Sequence, residues 1–232
     1  MDSKLRRLSP SKLNILRDCP RCFWLQEKGG IKRPPSIFPT LPNGVDRILK
    51  EYFDSMRNVE GWASRSLGID GELYSNQADI KKWRHWRSGL SCEFPELGIE
   101  LIGALDDSIV TLGSYSPLDY KSRGYPPKTS GAEYYQSQLD CYSLMLSRNG
   151  FPTTGKGYIL YFWTEKAESL KDFTFSKQLF EIPCSKDNAI KLLEKAKNIL
   201  ALSEPPEASE KCGYCNYVKE VMYRDGRLYN KG

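Results

Sequence analysis

Residues 117–124 read PLDYKSRG, and the two-residue alternation inside them decides how the chain is organised. Leu118 and Tyr120 fall on one face of a strand, while Asp119 and Lys121 fall on the other. A carboxylate and an ammonium side by side on one face have two physical meanings. One is a salt-bridged ladder on a wetted surface; the other is a metal site with a lysine beside it. Upstream, IELIGALDDSIVTL reads as two strands joined near Gly103 to Asp107, or as one bent strand, with Asp106 at the turn. Antiparallel pairing of these strands brings Asp106 toward Asp119. Two carboxylates in one cleft repel, and a divalent cation such as Mg²⁺ or Mn²⁺ relieves that conflict. Gly103 permits close backbone approach just before the turn.

Outward from this stretch, Ala132 to Asn149 predicts a helix ended near Gly150. GKGYILYFWTE and KDFTFSKQLFEIP predict a strand pair, and KDNAIKLLEKAKNILAL an amphipathic helix. Toward the N-terminus, LSPSKLNILRDCPRCFWLQE predicts one helix, with Ser9 as its cap and Pro10 at the first helical position. NGVDRILKEYFDSMR predicts another, its apolar face made of Val45, Ile48, Leu49, Tyr52, Phe53 and Met56. Residues 60–95 carry no clear period and are expected to be irregular. Helices, strands, a helix, a strand pair and a final helix together define an α/β sheet with a helix packed across its middle. The chain is expected to be one domain over 1–232. It comprises an N-terminal helical part (1–60), an α/β core (95–203) and a Cys-containing segment (204–232).

Composition bounds the rest. An apolar content of 40% and an aromatic content of 12% in 232 residues support a packed core rather than disorder. A net charge of +5 permits an anionic partner without requiring one. No apolar run reaches the roughly 18 residues that a membrane span needs. MDSKLRRLSP lacks the apolar region of a secretory signal, so a cytoplasmic location is expected. In that compartment seven cysteines are better read as including metal ligands than as a disulfide framework. Two C-x-x-C pairs, Cys19/Cys22 and Cys212/Cys215, are a strong metal signal if the two ends of the chain meet. Four thiolates suit either a [4Fe–4S] cluster or Zn²⁺.

In KKWRHWR, Lys81, Lys82, Arg84 and Arg87 alternate with Trp83 and Trp86. That pattern fits phosphate attraction with base stacking, and it fits equally a helix whose tryptophans are buried. Lys32, Arg33, Arg123 and Lys128 are further candidates for phosphate contact.

GALD, then DYK, then QSQLDCYSLML, in that order, resembles the PD-(D/E)XK nuclease superfamily. The likeness runs to its RecB-like branch and, within it, to the CRISPR-associated RecB-like exonuclease family, over roughly residues 8–220. CPRCFWL adds to it. The resemblance implies a restriction-endonuclease-like core, a central mixed sheet flanked by helices, with the N- and C-terminal segments joined by a four-Cys metal site. It implies a metal-dependent DNA nuclease, an exonuclease acting on DNA that is single-stranded or has single-stranded ends, with a partner in CRISPR adaptation or repair. Asp106 and Asp119 then bind Mg²⁺ or Mn²⁺, Lys121 assists water attack, and Gln138 and Tyr142, four apart on one helix face, position lysine, water or phosphate. The family's one-plus-three cysteine pattern ligates a [4Fe–4S] cluster. Here the last position of that C-terminal run is Val221, and Cys22 makes up the count, which keeps Zn²⁺ open.

One departure matters. The family places a metal-binding histidine on a helix after a glycine, and the single histidine here, His85, lies elsewhere. In NGVDRILK, Asp46 falls at the edge of the apolar face and either replaces the histidine as an oxygen ligand or is an ordinary first-turn aspartate. Two rivals stay open: a catalytically weakened DNA-binding or scaffold protein of the same fold, and an unrelated zinc-stapled binding module.

Overall fold

Ser9 and Pro10 start the first helix as their chemistry dictates. The Ser9 hydroxyl accepts a hydrogen bond from the Lys12 amide, and Pro10 takes the first helical position. In the computed structural model, residues 5–35, 40–128, 133–165 and 174–229 are described. The single helix expected over residues 8–27 is two helices, α1 (Pro10–Asp18) and α2 (Pro20–Glu27), with Cys19 extended between them. Pro20 is the cause, because a residue preceding proline is driven out of the helical region.

Helix α3 (Thr40–Met56) forms as expected but buries only part of the expected apolar face. Phe53 is buried and Leu49 and Met56 are partly covered, whereas Ile48 and Tyr52 are exposed. Asp46, Lys50, Asp54 and Arg57, which follow one another at helical spacing, make the inward ion pairs instead. Residues 60–95 are also more ordered than expected. They contain α4 (Trp62–Leu67), β2 (Glu72–Leu73), α5 (Gln77–Trp83) and β3 (Leu90–Phe94). Each is shorter than the window over which hydrophobic periodicity registers.

The remaining elements are β1 (Arg6–Leu8), β4 (Ile99–Gly103), β5 (Asp107–Thr111), β6 (Ser114–Arg123), α6 (Gln136–Arg148), β7 (Lys156–Thr164), β8 (Phe175–Pro183), α7 (Lys186–Ala201) and α8 (Gly213–Tyr229). Among the described residues the strands form two mixed sheets rather than one. The larger has the order β2-β5-β6-β7-β8, with β6 and β7 parallel and the other pairs antiparallel. The smaller has the order β1-β4-β3. IELIGALDDSIVTL therefore divides between two sheets, and Asp106 sits in the crossing. The parallel β6–β7 pair needs a long return connection, and α6 provides it.

Helix α6 is buried on nearly every side from Leu139 to Leu146, which is why its sequence is apolar without a clean stripe. It packs tightly over Gly103. A side chain there would meet the Tyr142 ring at 2.8 Å and the Met145 methyl at 2.9 Å, so glycine is what lets the helix approach. The main core lies between this helix, α1, α7 and the sheets. A second core lies on the opposite face of the larger sheet, where Leu118, Tyr120 and Leu160 meet Phe53 and Trp62. Among the described residues no helix is long and apolar enough to cross a membrane.

Candidate active site

The β5–β6 register pairs Asp107 with Leu118, which sets the preceding residue, Asp106, across from Asp119. The Tyr120 amide fixes Asp106 by donating to its Oδ2 at 3.0 Å. Asp119 points away from the Phe53 core and toward α6. Gln138 donates from Nε2 to Asp119 Oδ1 at 2.8 Å, and the Gln138 amide also lies 3.0 Å from the Tyr142 hydroxyl. Tyr142 in turn donates to the Ala104 carbonyl at 2.7 Å. One face of one helix thus ties the β6 carboxylate to the turn that carries the other. Lys121, on the same face of β6, contacts Asp119 Oδ2 through its ammonium and lies 4.9 Å from the centre of the Tyr135 ring.

Helix α3 brings a third carboxylate and a second ammonium. The Lys50 ammonium stands 2.8 Å from Asp46 Oδ2 and 2.7 Å from Asp106 Oδ1. Asp46, one helical turn before it, thereby joins the cluster. Lys50 was not singled out by periodicity; its four-residue spacing from Asp46 was the available signal. Asp46, Asp106 and Asp119 against Lys50 and Lys121 leave one excess negative charge.

Burial pushes the Asp119 carboxyl up to about 6, with the nearby Lys121 ammonium opposing and Asp106 adding to the rise. Burial works against the charge on Lys121 and on Lys50 as well. The facing carboxylates, Asp119 and Asp106 for Lys121 and Asp106 and Asp46 for Lys50, outweigh it and hold both above the ordinary lysine range. Asp119 Oδ2 is buried, and among the described residues its partner is the Lys121 ammonium, with no further donor on it. Oxygen-only donors converging with such an atom fit a hard divalent cation, Mg²⁺ or Mn²⁺.

Directly beneath is a network that sequence reading missed. Asp107 is fully buried, and Arg57 grips both its oxygens at 2.8 Å. Tyr120 donates to Asp107 Oδ2 at 2.8 Å, and Arg84 lies 3.2 Å from the same atom. Asp54 accepts from Arg57 at 2.6 Å and from Arg84 at 2.8 Å. Arg84 also donates to the Asp106 carbonyl at 2.6 Å, so its guanidinium is engaged inside the protein rather than offered to phosphate.

The other candidate nucleic-acid residues separate by environment. Lys81, Lys82, Arg87 and Lys128 are exposed. Trp83 is buried in the core, but Trp86 is exposed, with Arg87 stacked 4.5 Å from its ring. Arg123, two positions beyond Lys121 on β6, lies over Tyr125 at 4.7 Å. Lys32 is exposed, and Arg33 is half-buried, 4.8 Å over the Tyr214 ring. His85 is exposed and bonded to Ser88.

The two C-x-x-C pairs do meet. Sγ of Cys22 lies 3.6 Å from that of Cys212 and 3.5 Å from that of Cys215, and Cys19 lies 3.8 Å from Cys215. All four sulfurs fall within 4.8 Å of one another. Cys19 precedes the first residue of α2 and Cys212 that of α8, so each pair straddles a helix N-terminus, where partial positive charge favours thiolate. Burial raises the Cys19 thiol, but the amides of Cys22 and Ser209 prevail and bring it down to about 7. Four converging thiols with such amides fit a metal. Cys92, Cys141 and Cys184 remain free thiols apart from this cluster.

A mixed sheet that presents two carboxylates and a lysine at a crossing, with a Gln-x-x-x-Tyr helix behind them, has the form of a phosphodiester hydrolase of the nuclease type. The model of the PD-(D/E)XK nuclease superfamily matches residues 7–219, and the chain belongs to that superfamily.

Proposed function

We propose that the protein is a Mg²⁺- or Mn²⁺-dependent deoxyribonuclease of the RecB-like type, acting as an exonuclease on DNA with single-stranded character. A role in CRISPR adaptation or repair, in the cytoplasm, completes the reading. The observation that carries it is the fastening of Asp106 and Asp119 across one strand pair, with Lys121 beside them and Gln138 behind. Asp106, Asp119 and Asp46 would hold the divalent ion, which when bound supplies an activated water and neutralises phosphate charge. Lys121 orients the attacking water and stabilises charge developing on the phosphate. Gln138 and Tyr142 keep Asp119 and the Ala104 turn in register. Lys81, Lys82, Arg87, Arg123 and Lys128 are the cations available to the DNA backbone, and Trp86 offers a stacking face.

A second reading, a weakened DNA-binding or scaffold protein of the same fold, is favoured by one observation. Where the family histidine would stand, the ammonium of Lys50 sits on Asp46 and Asp106. End-labelled single- and double-stranded DNA with Mn²⁺, tested against Asp119→Asn and Lys121→Ala, separates the two. The nuclease reading expects cleavage by the natural protein alone; equal background in all three supports the scaffold.

For the cysteines, spacing favours Zn²⁺ over the [4Fe–4S] cluster that resemblance suggests. Thiolates around one tetrahedral ion at about 2.3 Å stand roughly 3.8 Å apart. A cubane places an iron under each thiolate and spreads them to roughly 6 Å. Metal analysis of anaerobically purified protein should find one zinc per chain. Four irons with the brown iron–sulfur absorption would establish the cluster instead.

A further inference from the structure

The cluster contains a cation that neither the strand motif nor the helix motif calls for. Lys50 comes from α3, a separate element from both strands, and its ammonium bridges Asp46 and Asp106 at 2.8 and 2.7 Å. These are two of the three carboxylates assigned above to the divalent ion. Its charge also acts on the third, Asp119. The other lysine differs in kind: Lys121 pairs with Asp119 from two positions along the same strand.

Resting on the active-site reading above, we propose that Lys50 is a built-in competitor for the divalent cation. It holds Asp46 and Asp106 together in the metal-free protein and must leave them for the ion to enter. The charges require this. With three carboxylates and two ammoniums the cluster is short of one positive charge. A divalent ion added with both lysines in place would overshoot to one excess positive charge, with an ammonium in contact with the ligands that the ion needs. Like charges at such a distance repel strongly in a partly buried site. Lys50 is able to leave. Its side chain retains 23% of its exposure, and an ammonium on a flexible four-carbon stem makes no forked contact to be unlocked. Lys121, between a buried carboxylate and the Tyr135 ring, is the lysine that stays. Metal affinity in the resting protein is therefore set below what three carboxylates would give, and any anion that draws Lys50 away, a DNA phosphate foremost, would strengthen metal binding.

Mn²⁺ titration of the full chain, followed by the loss of the free-ion electron paramagnetic resonance signal, tests this without DNA or turnover. Lys50→Met keeps the apolar stem and removes the charge. It should bind Mn²⁺ at least about tenfold more tightly, while Lys50→Arg stays nearer the natural protein. If Lys50→Met melts early, Lys50→Gln, which retains a donor to the carboxylates, takes its place with the same expectation. Unchanged or weaker Mn²⁺ binding in the folded neutral variant overturns the proposal. Asp119→Asn separates this failure from a deeper one. If Asp119→Asn binds Mn²⁺ as well as the natural protein, the active-site reading falls. If Asp119→Asn abolishes binding while Lys50→Met changes nothing, only the role of Lys50 falls.

Discussion

Asp106 and Asp107 are neighbours in the chain, yet they anchor two charge clusters of opposite character. Asp107 is fully buried and gripped by guanidiniums, with Arg57 on both oxygens and Arg84 and Tyr120 on one. Asp106 is partly open and meets an ammonium, Lys50, and a single backbone amide. Arginine offers a rigid fork that fixes a carboxylate in place, whereas lysine offers a mobile point charge that another cation can replace. On the proposed reading, the difference separates structure from chemistry across one peptide bond. The Asp107 network ties α3 and α5 to the sheet, and the proposal makes the Asp106 cluster the exchangeable one.

The sharpest way to break this contrast is to remove the central carboxylate of each cluster. Asp119→Asn should lower the rate of Mn²⁺-dependent DNA cleavage by about a thousandfold or more, the loss of several kcal/mol of charge stabilisation, with thermal unfolding close to that of the natural protein. Asp107→Ala strips buried Arg57 of the carboxylate that it grips with both nitrogens, leaving it Asp54 alone among carboxylates, and should cost about 3–5 kcal/mol of stability, read by chemical denaturation. If Asp107→Ala instead unfolds normally and only loses cleavage, the division between the two clusters is wrong. Gln138→Ala sharpens the picture by freeing Asp119 Oδ1 while sparing its charge. A loss of about 10–100-fold in cleavage or in Mn²⁺ affinity is expected, as for other groups that orient a metal ligand, and a drop in stability alone would contradict the positioning role. Trp86→Ala, outside both clusters, should have the smallest effect. Losing one stacking face worth about 1–3 kcal/mol or less should weaken single-stranded DNA binding without changing the cleavage rate at saturation.

What could be seen beforehand follows from the range of the interactions. Asp119 and Lys121 share a face through the two-residue strand period, and Gln138 and Tyr142 share one through the helical turn, so local spacing alone aligns them. Asp106 came within reach because a short turn and an antiparallel pairing were enough to place it. Lys50, Arg57 and Asp107 act through partners up to 56 positions away, from Lys50 to Asp106, and no local pattern records such a pairing. In α3 the apolar template held for only part of its face, since Leu49, Phe53 and Met56 pack inward. Ile48 and Tyr52 fit the period and are exposed, because the helix is held by its polar stripe of Asp46, Lys50, Asp54 and Arg57. The break at Cys19 was available in Pro20. The separation of β4 and β5 into different sheets was not, since β4 pairs with β1, more than 90 positions before it, and no local pattern records that pairing.

Cys19 and Cys215 lie 196 positions apart and face each other across 3.8 Å. With a metal between them, the two ends of the intervening chain would be clasped by thiolate bonds as well as by the packing of the elements between. During synthesis the same knot cannot be tied until Cys215 has left the ribosome, after every strand described above. The strands between are made before their clasp is available, so stripping the metal with a chelator should show how far the finished fold depends on it.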